Sequence, residues 1–169
     1  MNINLKVLKP EDVTQKYVDW FSDPEVVKFS EKKTKKFTLQ GQIDYVNSCL
    51  KDSNIALYGV FYDKLHIGNL HLEGLDSVHK RLELTAVIGD KSYWNKGVST
   101  YALSKLIELA TSKYKVHKIF SSVVEGNIGS CRFLEKNNFI LEGKRIDHIF
   151  LDGKFYNQLD YGLIINQNL

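Results

Sequence analysis

Cysteine and proline are scarce in this chain, with two of each in 169 residues. Cys49 and Cys131 stand far apart, in stretches that read as helical. A secreted disulfide scaffold needs more cysteines than that, so a reducing cytoplasm is the expected compartment. The only prolines are Pro10 and Pro24, and no Pro/Gly/Ser-rich stretch or repeat divides the chain. Residues 1–169 therefore read as one domain. No window approaches the ~20 apolar residues of a membrane-spanning helix. The first nine residues also lack the apolar run and small-residue cleavage site of a signal peptide. No membrane partner is expected. Charge of one sign is lacking too: 23 basic residues against 20 acidic ones, evenly spread, leave a net charge of +3. That is too weak for a nucleic-acid footprint, although it does not hinder a polyanionic cofactor from approaching.

Several chemistries are missing their motifs. There is no G-x-x-x-x-G-K-[ST], and no G-x-G-x-x-G follows a strand, so neither a P-loop nor a dinucleotide-binding fold is indicated. No G-x-S-x-G elbow is present, and Cys131 has no evident activating partner. His66, His71, His79, His117 and His148 and the two cysteines show no zinc spacing, so no metal is expected.

What is present is an ordinary globular composition, 43% hydrophobic and 25% charged, with clear periodicities. A short strand near Asn4–Leu8 precedes Glu11–Lys28, where Val13, Tyr17, Trp20 and Phe21 fall on one helical face. Ser22-Asp23-Pro24 splits that stretch, with Asp23 placed to cap and Pro24 to begin a second helical piece. Glu31–Lys36 reads as a solvated loop. Thr38 can cap a helix in which Ile43, Val46 and Leu50 share a face. Ala56–Tyr62 and Leu65–Glu73 read as a hairpin about Asp63-Lys64, and Arg81–Ile88 as a third strand. Residues 99–113 carry Leu103, Leu106, Ile107 and Ala110 at the spacing of an amphipathic helix. A strand over Lys118–Glu125, a short helix from Asn127 to about Lys136, and strands near Phe139–Phe150 and Phe155–Ile165 about Asp152-Gly153 complete the chain. The order ααβββαβαββ predicts a mixed sheet with helices on its faces, an α/β (α+β) fold.

The chemically informative segment is Tyr93–Ala102, between a strand and the strongest helix. A helix N-terminus exposes unpaired N–H groups and partial positive charge, which together suit an anion. Gly97 lets backbone approach a ligand, Ser99 keeps the next contact small and Lys96 adds a cation. An ordinary helix cap reads the same way.

The strand Leu82–Ile88 followed by Gly89-Asp90-Lys91-Ser92-Tyr93-Trp94-Asn95-Lys96-Gly97-Val98-Ser99-Thr100 resembles the acetyl-CoA pyrophosphate motif of the GNAT superfamily. It is closest to the branch with the ribosomal-protein and many sugar N-acetyltransferases. The second half agrees: Asn127-Ile128-Gly129-Ser130 opens a helix, and Phe133-Leu134-Glu135-Lys136-Asn137-Asn138-Phe139, with Glu142-Gly143 beyond, is similar to that family's N-x-x-S…L-E-K-x-G-F…E-G signature. The resemblance covers nearly the whole chain. It implies a mixed, mostly antiparallel sheet of six to seven strands with helices on both faces. It also implies acetyl-CoA as co-substrate, held by Val87, Ile88, Trp94, Asn95, Lys96, Gly97, Val98, Ser99, Thr100, Asn127, Ser130, Phe133 and Lys136. Departures from the pattern are Asn95 where that branch usually has Gly, Ser99 where it has Ala, and Asn138 for the Gly before Phe139. The tyrosine that is the general acid in many relatives is Leu134 here, and that role is not carried over.

The resemblance further implies direct attack of an amine on the thioester, with a backbone N–H near Val87-Ile88 donating to the carbonyl oxygen. Ser130 is the candidate proton donor to the departing thiolate, or else a first-turn residue of its helix. An alkyl amine, with a pKa near ~10, must lose a proton first. Glu83 is the candidate base, its neighbours Leu82 and Leu84 pointing to the other face of the strand. Its alternative role is cross-strand partner to Arg81 or a lysine. Phe29, His71, Glu73 and His148 are candidates to line the acceptor pocket. The expected acceptor is a small amine, with a nucleotide-linked amino sugar first. A protein N-terminus, as in ribosomal-protein acetylation, is second and a polyamine third, the last calling for an acidic pocket. A non-catalytic acetyl-CoA-binding module is the reading from another class, and a homodimer is compatible with any of them.

Overall fold

The chain is described here by a computed structural model covering residues 2–165. Seven strands form one sheet: β1 (Ile3–Val7), β2 (Ile55–Tyr62), β3 (Leu65–Glu73), β4 (Arg81–Ile88), β5 (Lys118–Val124), β6 (Ile140–Leu151) and β7 (Lys154–Ile164). They lie in the order β1-β2-β3-β4-β5-β7-β6. Each neighbouring pair is antiparallel except β4 and β5, which run parallel. The four α-helices are α1 (Gln15–Trp20), α2 (Leu39–Lys51), α3 (Val98–Ser112) and α4 (Ile128–Lys136).

Period-2 alternation in the central strands sends their side chains to two separate cores. Leu82 and Leu84 of β4 and Ile119 of β5 are buried against Leu103, Leu106 and Ala110 of α3 and Leu134 of α4. On the opposite face, Tyr17 and Trp20 of α1 and Val46 and Cys49 of α2 pack on Leu57 and Phe61 of β2 and on Leu8. Glu83 faces that second side, between its two buried leucine neighbours.

The helices differ from expectation where local side-chain bonds compete with them. The stretch Glu11–Lys28 is not one broken helix. A 3-10 turn at Pro10–Asp12 precedes α1, which starts afresh where the Thr14 hydroxyl accepts the Tyr17 N–H. After Trp20 the chain makes turns rather than a second helical piece. Asp23 Oδ1 accepts the Glu25 N–H at 2.9 Å, the short local bond with which aspartate closes turns. Glu31–Thr34, expected as loop, is a short 3-10 helix. Thr38 does cap α2, accepting from Gly41. Leu50, however, is 47% exposed and Cys49 is buried in its stead, because Cys49 and Val46 lie at i and i+3 on the face that meets the sheet. Asn138 takes the left-handed conformation at φ 63°, which Asn tolerates better than most residues.

These two α2 and α3 positions give a stability test. Leu106→Ala empties a fully buried site and is expected to cost about 2–5 kcal/mol by urea denaturation. Leu50→Ala should stay within about 0.5 kcal/mol. Equal losses would contradict this assignment of core and surface.

Candidate active site

The parallel pair β4 and β5 is joined only at Arg81–Lys118, Leu82–Ile119 and Glu83–Phe120. Beyond Glu83, β4 remains paired with β3 as far as Ile88 on one edge and has no strand on the other. Alternate backbone groups of Leu84–Ile88 therefore face an opening instead of a neighbour. Past its far end lies the start of α3.

The link from β4 to α3 is tightly specified. Gly89 lies against Trp20, whose ring occupies the space a Cβ would need. Asp90 accepts from the Ser92 N–H and hydroxyl, closing a 3-10 turn at Lys91–Tyr93. Trp94 Nε1 donates to the Ile88 carbonyl at 2.7 Å, folding the loop back on the end of β4. Asn95 at φ 59° and Gly97 at φ 74° are both left-handed, which explains why Asn serves where relatives carry Gly. Thr14, Thr38 and Asn127 cap α1, α2 and α4 with side-chain oxygens, whereas α3 begins at Gly97 with no side-chain cap. Its first N–H groups are left for an anion, with Lys96 exposed beside them. A cavity of about 390 Å³ lined by Tyr62, Ser92, Tyr93, Lys96 and Val98 lies at the foot of this helix. These features fit the pyrophosphate of a CoA thioester.

Of the other residues expected around the cofactor, Asn127 caps α4 by accepting the Ser130 N–H at 3.2 Å, and Ser130 is half-buried in the first turn. Thr100 is within 3.4 Å of Asn137 Nδ2, so the start of α3 and the end of α4 are tied side by side. Phe133 packs on the core, Lys136 is exposed, and Val87, Ile88 and Ser99 are half-buried. Leu134, standing where relatives have a catalytic tyrosine, is 2% exposed and belongs to the core.

On the other face of the sheet, Glu83 is directly opposite Glu73, and His71 is opposite Thr85. Glu83 makes no ion pair with Arg81 among the described residues. Its carboxyl is held above the usual range by burial and by the negative charges of Glu73 and Asp160. Asp160 goes the other way: burial would raise it, but hydrogen bonds from Gln158, Arg145 and Ser122 outweigh that and keep it ionised. Beside these carboxylates is a cavity of about 340 Å³ walled by Arg81, Lys118, Phe120, Ser122, Arg145 and Asp160. Phe29 lies 3.9 Å from where a side chain on Gly126 would begin, at the exit of β5. Glu73 and His71 thus lie on β3 across from Glu83 and Thr85, with Phe29 near the exit of β5. His148 does not join them. It is exposed in a bulge between Arg145 and Ile149 on the edge strand β6, separated from β4 by β5 and β7. Asp160 was not anticipated, although its position between the buried Leu159 and Tyr161 is the same alternation that marked Glu83. Among the described residues no cluster of three or more His, Cys, Asp or Glu is placed to hold a metal. No helix there is long and apolar enough to cross a membrane.

Residues 2–140 match the acetyltransferase (GNAT) domain model. The chain belongs to the GNAT acetyltransferase family. Members of this family take the acetyl group from acetyl-CoA and place it on an amine nitrogen. The "Probable N-acetyltransferase YjcK" of Bacillus subtilis (strain 168) is 36% identical over 126 residues, 69% of this chain and 67% of that protein. YdaF of the same organism, whose name ties it to ribosomal N-acetylation, is 29% identical over 113 residues, 67% of this chain and 61% of its own length. Among solved structures, the spermidine N-acetyltransferase from Vibrio cholerae in complex with CoA and spermine superposes with a TM-score of 0.85 at 16% identity, covering 96% of this chain and 95% of that one. The seven-stranded mixed sheet is therefore the GNAT fold, and acetyl-CoA is the co-substrate.

The raised pKa of Glu83 has a measurable sign. A carboxyl that holds its proton more tightly when folded adds stability below the unfolded pKa, and that stability is lost as pH rises through the folded value. At neutral pH the ionised Glu83 therefore opposes folding. Glu83→Gln is expected to raise Tm at neutral pH and to leave it nearly unchanged at about pH 3. Thermal melts with no gain at neutral pH would count against the carboxylate cluster.

Proposed function

We propose that this GNAT N-acetyltransferase acts on a small cationic amine, a polyamine-like acceptor, with Glu83 as the base. The observation that carries the reading is the Glu73–Glu83 pair. Like charges directly opposite in a sheet repel each other, and no lysine or arginine pairs with either residue among the described ones. With Asp160 ionised beside them, a cation bound in the opening relieves the repulsion. A Bacillus subtilis relative named spermine/spermidine N(1)-acetyltransferase, 28% identical over 118 residues, supports the same acceptor class.

In this reading an ammonium group enters between Glu73 and Glu83, and Glu83 takes one proton from it, directly or through a water. Acetyl-CoA, when bound, supplies an acetyl carbon joined to a thiolate leaving group. The freed nitrogen forms its bond to that carbon as the carbon–sulfur bond breaks. Backbone N–H groups on the open edge of β4 donate to the carbonyl oxygen, and Ser130, in the first turn of α4, gives its proton to the departing sulfur and regains one from the second proton that the nitrogen sheds as it becomes a neutral amide. Phe29 and His71 border the acceptor, and Lys96 and the uncapped start of α3 hold the phosphates.

A nucleotide-linked amino sugar, the first expectation from the sequence, needs cations for its diphosphate. Arg81, Lys118 and Arg145 line the neighbouring cavity, but Lys118 is bound by Glu142 and Arg145 by Asp160. Arg81 stands over the Phe120 ring and is the remaining cation for such a ligand. Two buried free cysteines suit a reducing cytoplasm.

Thiol release from acetyl-CoA, with product mass checked, should be fastest with spermidine when compared with a UDP-linked amino sugar and an N-terminal peptide. Glu83→Gln should lower kcat by about 10²–10⁴, and Glu73→Gln should raise KM for spermidine about tenfold. Turnover confined to the amino sugar or the peptide would overturn the polyamine assignment while leaving the enzyme class intact.

A further inference from the structure

The cofactor loop is held from outside by the N-terminal segment. Three successive residues after β4 are each engaged by it. Trp20 covers Gly89, Lys16 pairs with Asp90 at 2.6 Å, and Lys91 is gripped by Asp23 at 2.8 Å and by Glu25. The partners of Lys91 are themselves preset. Asp23 Oδ1 is fixed by the Glu25 N–H, so the turn that replaced the expected helix presents both carboxylates to one ammonium. Gly89 and Asp90 both donate their N–H groups to the Ile67 carbonyl, which fixes the loop's root on β3. Toward α3 the loop is folded back by the Trp94 bond to the Ile88 carbonyl and by Tyr93 against the Tyr62 ring. Beyond this clamp the same segment reaches the acceptor side, with Phe29 near Gly126 and Lys33 paired with Asp152 at the tip of the β6–β7 hairpin.

We propose that Lys91, clamped between Asp23 and Glu25, is a positioning residue that sets the phosphate-binding loop for acetyl-CoA without contacting it. Its ammonium is taken up by two carboxylates on the outer side, so its charge is neutralised where it stands. What it contributes is the path of the chain from Gly89 to Gly97 and hence the direction of the unpaired N–H groups at the start of α3. The hydrogen bonds that Lys91 donates to Asp23 and Glu25 hold it charged, so the clamp stays intact across the neutral range.

The decisive variant pair separates positioning from simple attraction. Lys91→Met removes the clamp and a positive charge. The double variant Asp23→Asn, Glu25→Gln removes the clamp and keeps the positive charge. Positioning predicts that both weaken CoA binding by about fivefold in calorimetry. KM for acetyl-CoA should rise in step, with kcat nearly unchanged. Lys91→Arg, which can still bond two carboxylates, should restore affinity. If Lys91 instead attracts the phosphates directly, the double variant should bind CoA as well as the parent or better, and that result overturns the proposal. Equal weakening in Lys91→Arg and Lys91→Met would overturn it too. All three residues are at the surface or half-buried, and circular dichroism on each variant establishes that it folds. Because CoA binding is measured without an amine, the outcome does not depend on the acceptor assignment.

Discussion

β4 and β5 keep company for three residues and then part, and the rest of the site is arranged around that parting. The middle of a sheet is where a parallel pair is normally best buried. Leaving backbone donors and acceptors open there is costly unless something else takes them up. Among the described residues, the fold accepts this where Leu84–Ile88 has β3 on one side and no strand on the other. A ligand laid between the two strands can use those groups, and the uncapped start of α3 lies at the end of the same opening. On the proposed assignment, backbone rather than any single side chain thus supplies most of what a CoA thioester needs.

Such an opening can exist because the sheet is braced on both faces near it. Leu82 and Leu84 are anchored under α3 at 0% and 2% exposure, so β4 cannot slide to close the gap without emptying the core. On the other face, α1 and α2 cover β2 and β3 but stop short of β4, leaving Glu73, Glu83 and Asp160 uncovered. The two faces therefore do different work. One holds the strand in place and the other presents charge to a second substrate. A single alternating strand serves both, because period 2 assigns successive residues to opposite sides.

Much of this was legible in the residues. Strong periodicity located β4 at Arg81–Ile88 to the residue, and α3 to within one residue at each end. Asn138, in place of the family's glycine, takes the left-handed conformation that its residue type tolerates. What stayed hidden depended on contacts between distant segments. Glu11–Lys28 has helical spacing, yet Thr14 and Asp23 each offer the backbone a local bond that restarts or ends the helix. Leu50 and Cys49 differ by one step of rotation, which only the tilt of α2 on the sheet decides. His148 belonged to a strand pattern but falls in a bulge, where alternation no longer predicts direction. The evenly balanced charge of the whole chain concealed a local carboxylate cluster, because the cross-strand register sets Glu73 opposite Glu83 and the sheet order brings Asp160 near them from far along the chain.

That cluster also bears on how the protein divides stability from function. Glu73 and Glu83 could be separated by one lysine between them, and the sheet would be more stable for it. On the proposed assignment, the same lysine would fill the place of an incoming ammonium and neutralise the base. Burial first, and then the charges of Glu73 and Asp160, hold the Glu83 carboxyl above its usual range, which on the proposed assignment brings it closer to the range in which a base can take a proton and give it up again. The repulsion is tolerable because it sits on a strand whose other face is among the best-packed parts of the molecule. A defect of the same kind on β6, an edge strand with Ile140, Ile146 and Phe150 each at least 60% exposed, would have no such support. Glu83 is thus carried by a strand held firmly on its buried face and open along part of one edge, with Glu73 and Asp160 reaching its neighbourhood from β3 and β7.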